Sequence, residues 1–251
     1  MEENHSLSQM RVGMPYAFSL ARRFGYATNY HAITHPSLPN YLAVVSGSTH
    51  GVTDDAPPSA HRVRGRTVFG QALARGKAAA VYADGMRSPC ATSSTGRPPY
   101  AVGHNAWPYF VGERRACRTH DLPGGRLWSA IRGGRLPNAG LVVPDKCHDA
   151  HDCSLWTADA WFRHLMTAVF RGRDWRSGHL AVVLTAEEND GSPGNRVLTV
   201  VIHPSQHHHV VTTALNHYSL TKLYEQVAHT SYLGQSRAAP SMARAFALPL
   251  R

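Results

Sequence analysis

Apolar residues along the chain fall into two kinds of pattern, and the two alternate. Short apolar runs bounded by turn signals predict buried strands over 26–33, 78–82, 139–143, 179–185 and 197–202. Apolar positions at helical spacing predict helices over 16–24, 40–46, 68–74, 157–170 and 218–228. Strands alternating with helices imply the α/β class, a mostly parallel central sheet with helices on both faces. Ligands of such sheets bind in the crevice at the carboxyl ends of the strands, so the chemistry is expected just after a predicted strand. No internal repeat or low-complexity linker divides the chain, and residues 1–251 are expected to form one domain.

Composition adds limits to this picture. The chain is 43% apolar and 17% charged, ordinary for a globular domain long enough to bury a large core without metal or disulfide support. No window nears the roughly 18–20 consecutive apolar residues of a membrane span. The opening Met1-Glu2-Glu3-Asn4-His5 lacks the basic and apolar regions of a signal peptide. Lys and Arg number 26 against 16 Asp and Glu, a net charge of +10, and there are 17 histidines. That charge favours anionic partners: nucleic acid, anionic lipid head groups or phosphorylated small molecules. The arginines are scattered in ones and twos, and the lysines are Lys77, Lys146 and Lys222 alone. A solvated basic surface is therefore expected, and nucleic acid is not expected as a partner. Cys90, Cys117, Cys147 and Cys153 contain no C-x-x-C pair, which disfavours zinc-ribbon and thioredoxin readings. Their loop-like surroundings suit two disulfides in an oxidising compartment, most simply Cys147–Cys153 and Cys90–Cys117.

Three segments sit just after predicted strands. Thr34-His35-Pro36-Ser37-Leu38-Pro39-Asn40-Tyr41 leads into a helix. A serine there meets free backbone N–H groups and the positive end of the helix dipole, a suitable place for a nucleophile attacking phosphorus. A helix-capping role for Ser37 is the structural alternative. Thr185-Ala186-Glu187-Glu188-Asn189-Asp190-Gly191 offers hard oxygen ligands for a cation, or else a solvated acidic loop. His148-Asp149-Ala150-His151-Asp152 offers imidazoles that can bind metal, hold a phosphoryl oxygen or protonate a leaving group; its alternative is a polar loop closed by a disulfide.

Together these segments resemble the phosphoesterase family that contains bacterial secreted acid phosphatases and phosphatidylcholine-type phospholipases C, within the alkaline-phosphatase superfamily. The resemblance is greatest to the acid phosphatase and phosphatidylinositol-3-phosphatase-like members. It extends over 1–6, 31–55, 100–105, 147–159, 185–196 and 217–219, and the closing Ser241-Met242 and Ala245-Phe246 also fit. The resemblance implies that Glu3, Asn4, Glu187 and Glu188 ligate a catalytic divalent metal and that Ser37, touching it, is the nucleophile that carries the phosphoryl group. It places Asn40 on a phosphoryl oxygen. His148 and His151 are implied acid–base groups, Asp149 and His217 pocket residues, and His35, His50, His104 and Asn105 further pocket candidates. Oxygen-rich ligands suit Ca²⁺, Mg²⁺ or Mn²⁺, and nearby histidines admit Zn²⁺ or Fe. The cysteines and the resemblance imply a secreted protein.

Two departures from the family pattern stand out. Where the family reads Trp-Asp-Glu, this chain has Ala186-Glu187-Glu188, which lengthens one ligand by a methylene. Family members also carry an apolar strand ahead of the Glu-Asn pair, which this sequence does not contain; an extended N-terminus is expected to stabilise the fold. The leading reading is metal-dependent hydrolysis of phosphate monoesters, of phosphoinositides or other phosphorylated metabolites, through a phosphoserine. A phosphodiesterase or phospholipase C is the nearest rival. A catalytically degenerate anion- or nucleic-acid-binding protein is the third, marked by salt-sensitive DNA binding with no phosphate release. His207-His208-His209 is expected to be exposed loop, and Trp156 and Trp161 are each expected to pack in the core.

Overall fold

The computed structural model describes residues 1–97 and 99–250. Its strands are β1 (Gly25–Ala27), β2 (Tyr30–His31), β3 (Ala79–Ala83), β4 (Asp121–Pro123), β5 (Ala139–Val143), β6 (Val182–Thr185), β7 (Thr199–Ile202), β8 (His209–Val211) and β9 (Leu215–Asn216). One set runs β4-β3-β5, all parallel, a second runs β6-β7-β1-β8, and β2 pairs with β9 in parallel. The antiparallel exception is β7, which opposes both β6 and β1, because the loop that follows β6 turns the chain back along it. The helices Pro15–Arg23, Gly125–Gly133 and Leu155–Arg171 pack as one group. Ser37–Ser46, Val68–Ala74 and His217–Ala228 form another, so the sheet is flanked by two layers as the alternating pattern implies.

The first residues enter between the two sets of strands. The Met1 amino group donates to the Val142 carbonyl of β5 at 3.1 Å, and the Glu2 N–H donates to the Thr185 carbonyl of β6 at 2.9 Å. Glu2 pairs with Ala186 in parallel, so residues 1–3 lie where a strand linking β5 to β6 would end. The rest of that slot is a cavity of about 420 Å³ bordered by Leu141, Val142, Val183, Leu184, Phe162 and Leu165. Strand edges that face an apolar slot leave backbone groups to be paired. An apolar, strand-forming segment joined ahead of Met1 is expected to fill the slot and raise the melting temperature by several degrees. Equal melting temperatures with and without the segment would contradict this.

Local chemistry explains where several elements depart from their predicted bounds. The predicted strand 26–33 divides into β1 and β2 because the chain changes sheets at Thr28-Asn29, where the Asn29 amide donates to the Thr212 carbonyl at 3.2 Å. The helix predicted from residue 40 begins at Ser37 and stops at Gly47, whose φ is +70°. A Cβ at Gly47 would lie 2.3 Å from the Leu233 carbonyl oxygen, so only glycine fits that left-handed cap. Leu7–Gly13 and Gly125–Gly133 are helices that the periodicity did not reveal. Both disulfides, Cys90–Cys117 and Cys147–Cys153, form as expected. His207 and His208 are exposed, whereas His209 starts β8. The expectation for Trp156 is overturned. It stands 67% exposed on the first turn of Leu155–Arg171, while Trp161 is half-buried against the His148 ring.

Candidate active site

The site assembles at the end of β6, at the start of the helix Ser37–Ser46 and around residues 1–4. Ser37 is the first helical residue, and the next N–H, that of Leu38, donates to Asp55 Oδ1 at 2.8 Å. The Ser37 hydroxyl faces Glu3 Oε2 at 3.1 Å and Glu187 Oε1 at 3.2 Å. Glu3 and Glu187 have no solvent exposure. Asn4 adopts a left-handed φ of 57°, which aims its backbone N–H at both Glu187 oxygens, 3.2 Å from each. Asparagine tolerates this region better than most side chains, a physical reason for its place beside Glu3. Burial pushes the Glu187 carboxyl up to about 8, and burial together with Glu187 holds Glu3 well above the usual range. The extra methylene of Glu187 is accommodated, since its carboxylate reaches Ser37 directly.

A second layer surrounds these groups. Tyr41, one helical turn beyond Ser37, donates its hydroxyl to Glu3 Oε1. His104 bridges two acids, with Nε2 3.3 Å from Glu3 Oε2 and Nδ1 3.1 Å from Asp149 Oδ2. Burial pulls the His104 pKa down, but Glu3, Asp149 and Asp55 outweigh it and hold the imidazole above its ordinary value. Glu188 accepts from Asn40 Nδ2 at 3.0 Å, with His35 Nδ1 3.2 Å from its other oxygen. The Asn40 amide also fixes the preceding turn, accepting from Ile33 and Thr34 N–H groups at 3.0 and 3.1 Å. His151 is exposed beside His104, ring centroids 5.5 Å apart, with its Nδ1 2.7 Å from Asp152 Oδ1. His217 is fully buried behind Glu187. Its Nε2–H donates to the Glu187 carbonyl and its Nδ1 accepts from the Tyr30 hydroxyl at 3.1 Å. Burial pulls its pKa down to about 4, so a neutral ring with one fixed tautomer holds the Glu187 backbone.

Three of the sequence candidates lie elsewhere. His50 contacts Ser46 Oγ at 2.8 Å at the far end of the Ser37 helix. His148 sits with Asp145 and Asp84, its Nδ1 3.1 Å and 4.0 Å from their oxygens, and stacks on Trp161. Asn105 is buried and donates to both oxygens of Asp121, 2.9 Å each. Conversely, Tyr41, Asp55 and Tyr30 belong to the site and were not singled out. Tyr41 was reachable from sequence, because residues four apart share a helix face with Ser37.

Asp121 carries a consequence for stability. Burial raises its carboxyl from 3.8 to about 7. The folded state thus keeps a proton that the unfolded chain releases near pH 4, so its contribution is complete below about pH 4 and is lost as pH rises to about 7. Wild type is expected to lose up to about 4 kcal/mol relative to Asp121→Asn over that window. Chemical denaturation of both proteins at each end of the window measures this, and parallel pH profiles would refute it.

What the arrangement can do follows from its donors. The Ser37 hydroxyl carries one proton and faces two carboxylate oxygens, so it cannot satisfy both. Burial keeps a proton on this pair in the absence of a cation, and a divalent ion between the two carboxyls is the partner that would let both ionise. Glu3, His104 and Asp149 form a cluster of metal-ligating type, as do Asp84, Asp145 and His148. The donor set around Ser37 therefore fits a divalent ion held by Glu3, Glu187 and the Ser37 oxygen.

The Phosphoesterase family profile matches residues 8–230. The phosphatidylinositol-3-phosphatase of Mycobacterium tuberculosis is 27% identical over 247 residues, which is 96% of this chain and 79% of that protein. The phosphate-repressible acid phosphatase of Penicillium chrysogenum is 26% identical over 216 residues, or 80% of this chain but 51% of that longer protein. A solved structure of a protein in the alkaline phosphatase superfamily from Vibrio parahaemolyticus superposes with a TM-score of 0.64 at 8% identity, over 95% of this chain and 68% of that one. At that identity the superposition speaks for the fold. With a profile match that spans most of its length, the chain belongs to the phosphoesterase family and is a phosphoric ester hydrolase.

Proposed function

We propose that the chain hydrolyses phosphate monoesters in the manner of an acid phosphatase, with Ser37 as the nucleophile and a divalent cation held by Glu3, Glu187 and Ser37. The observation that carries this reading is the convergence of two buried carboxylates on one hydroxyl at a helix start. When bound, the cation supplies positive charge to the phosphoryl oxygens and lowers the pKa of the hydroxyl it touches. Ser37 Oγ, already donating to a carboxylate, passes its proton to that carboxylate as it attacks phosphorus. The helix dipole favours the anionic group arriving there. The Asn40 amide and the His35 ring, which meet Glu188, would donate to an incoming phosphoryl oxygen on that flank. As the ester P–O bond breaks, His151 protonates the departing alkoxide, oriented by Asp152. Water then attacks the phosphoserine and gives a proton to His151, the P–Oγ bond breaks, and Ser37 Oγ takes back the proton held by the carboxylate as phosphate leaves.

Asn4 and His217 are positioning residues in this scheme, acting through the Glu187 carboxylate and carbonyl respectively. Support for a monoester substrate comes from relatives named phosphatidylinositol-3-phosphatase and acid phosphatase. Two disulfides favour an oxidising, extracellular setting. Phosphate release from p-nitrophenyl phosphate should exceed cleavage of the bis-ester by at least about tenfold somewhere between about pH 4 and 9, in a panel of divalent metals. Faster bis-ester cleavage would assign the site to a phosphodiesterase or phospholipase C. Salt-sensitive DNA binding with neither ester cleaved would assign the chain to a degenerate scaffold.

A further inference from the structure

We propose that the face built from the helices Leu7–Gly13, Pro15–Arg23 and Leu155–Arg171 docks on an anionic lipid surface, with Val12 and Trp156 entering the head-group layer and arginines around them meeting the lipid phosphates. Val12 is 81% exposed and Trp156 67%, the two largest exposures among the big hydrophobic side chains described. They are neighbours in the fold. A Cβ on Gly13 would lie 2.6 Å from Leu155 Cδ1, so the end of the first helix rests on the start of the third. Trp156, Ala160 and Arg163 are exposed and recur at helical spacing along one stripe, as do Pro15, Ser19 and Arg22 on the neighbouring helix.

Charge around the two apolar tips has one sign. Arg11 and Arg22 lie over the Phe18 ring at 5.2 and 5.9 Å, and Arg163 lies over Tyr16 at 4.8 Å, so three guanidinium groups gather on this face. The stretch 7–25 contains no Asp or Glu, and 154–173 contains only Asp159. That carboxylate is buried, accepting the Tyr16 and Ala17 N–H groups at 2.9 and 2.8 Å. These stretches therefore present guanidinium groups with no exposed carboxylate of their own, and the exposed Asp152 just ahead of them is paired with Lys146 and His151. An indole at the water boundary beside arginines is the composition of an interfacial anchor, and an aliphatic Val12 offers nothing to a nucleic-acid backbone. This inference goes beyond the hydrolytic reading and does not depend on it.

Co-sedimentation of the full chain with vesicles tests it. Phosphatidylserine is the suitable probe because it carries no phosphate monoester, and Ser37→Ala should partition like wild type, which separates surface docking from capture of a diester at Ser37. Partition onto phosphatidylcholine vesicles holding about 30% phosphatidylserine should exceed partition onto phosphatidylcholine alone by at least about tenfold, and should fall in high salt. Val12→Ser with Trp156→Ser should weaken it by at least about tenfold, and Arg11→Ser or Arg163→Ser by about fivefold each. Hydrolysis of p-nitrophenyl phosphate reports on folding in every variant of the docking face and should stay unchanged. Partition that ignores these substitutions, or no preference for the anionic vesicles, overturns the proposal. So does DNA binding that is sensitive to the same substitutions in a chain that leaves vesicles alone.

Discussion

Ser37→Ala is expected to reduce phosphate release from a soluble monoester by at least about 10⁴-fold, because in the proposed mechanism it removes the atom that takes the phosphoryl group. The fold should survive. Ser37 lies at the first helical position, where alanine is tolerated, and no side-chain hydrogen bond of Ser37 caps the helix. Its hydroxyl donates only to Glu3 and Glu187, whose protonation or ion pairing can adjust. Circular dichroism and melting close to wild type, with activity at background, is the expected pair of results. Activity within about tenfold of wild type would show that another group attacks phosphorus.

Glu187→Gln should separate activity from stability. Glutamine has the shape of the protonated acid that burial favours, a carboxyl raised to about 8, so the metal-stripped variant should melt at or above the wild-type temperature. Activity should nonetheless fall by about 10²–10³-fold, since the carboxylate that faces the Ser37 hydroxyl is gone. Wild type should gain about 2.7 kcal/mol of stability from a divalent ion at a hundred times its dissociation constant. The variant should lose most of that gain. A thermal-shift titration with Mg²⁺, Mn²⁺, Ca²⁺ and Zn²⁺ measures it, and an undiminished shift in Glu187→Gln would remove this carboxylate from the cation site.

Much of this site could be read before any coordinates, and its residues show why. Ser37 and Glu187 follow predicted strands, where an α/β sheet places its chemistry, so the alternating pattern marks them as candidates, while their roles came from the family resemblance. Glu3 and Asn4 came from motif resemblance alone, because a Glu-Asn pair with no preceding strand has no local signature. The strand edges that receive them were not legible either: Glu2 meets Thr185 across more than 180 residues of chain. His148 and His151 look equivalent in a five-residue window, yet backbone bonding by Asp145 turns the first toward Asp84 and Trp161. Asn105 resembles a pocket residue, but Asp121 claims its amide. Trp156 shows the same limit on the surface, since a helical tryptophan is usually core and nothing local says that its stripe faces outward.

The central claim is that the phosphoryl group passes through Ser37. A rapid acid quench during turnover of a monoester, followed by peptide mass spectrometry, tests it most directly. The account predicts a phosphate adduct on Ser37, in the peptide that also contains Asn40 and Tyr41, and none in Ser37→Ala. An active enzyme whose quenched turnover leaves the Ser37 peptide unmodified, with the adduct on another residue, would contradict it.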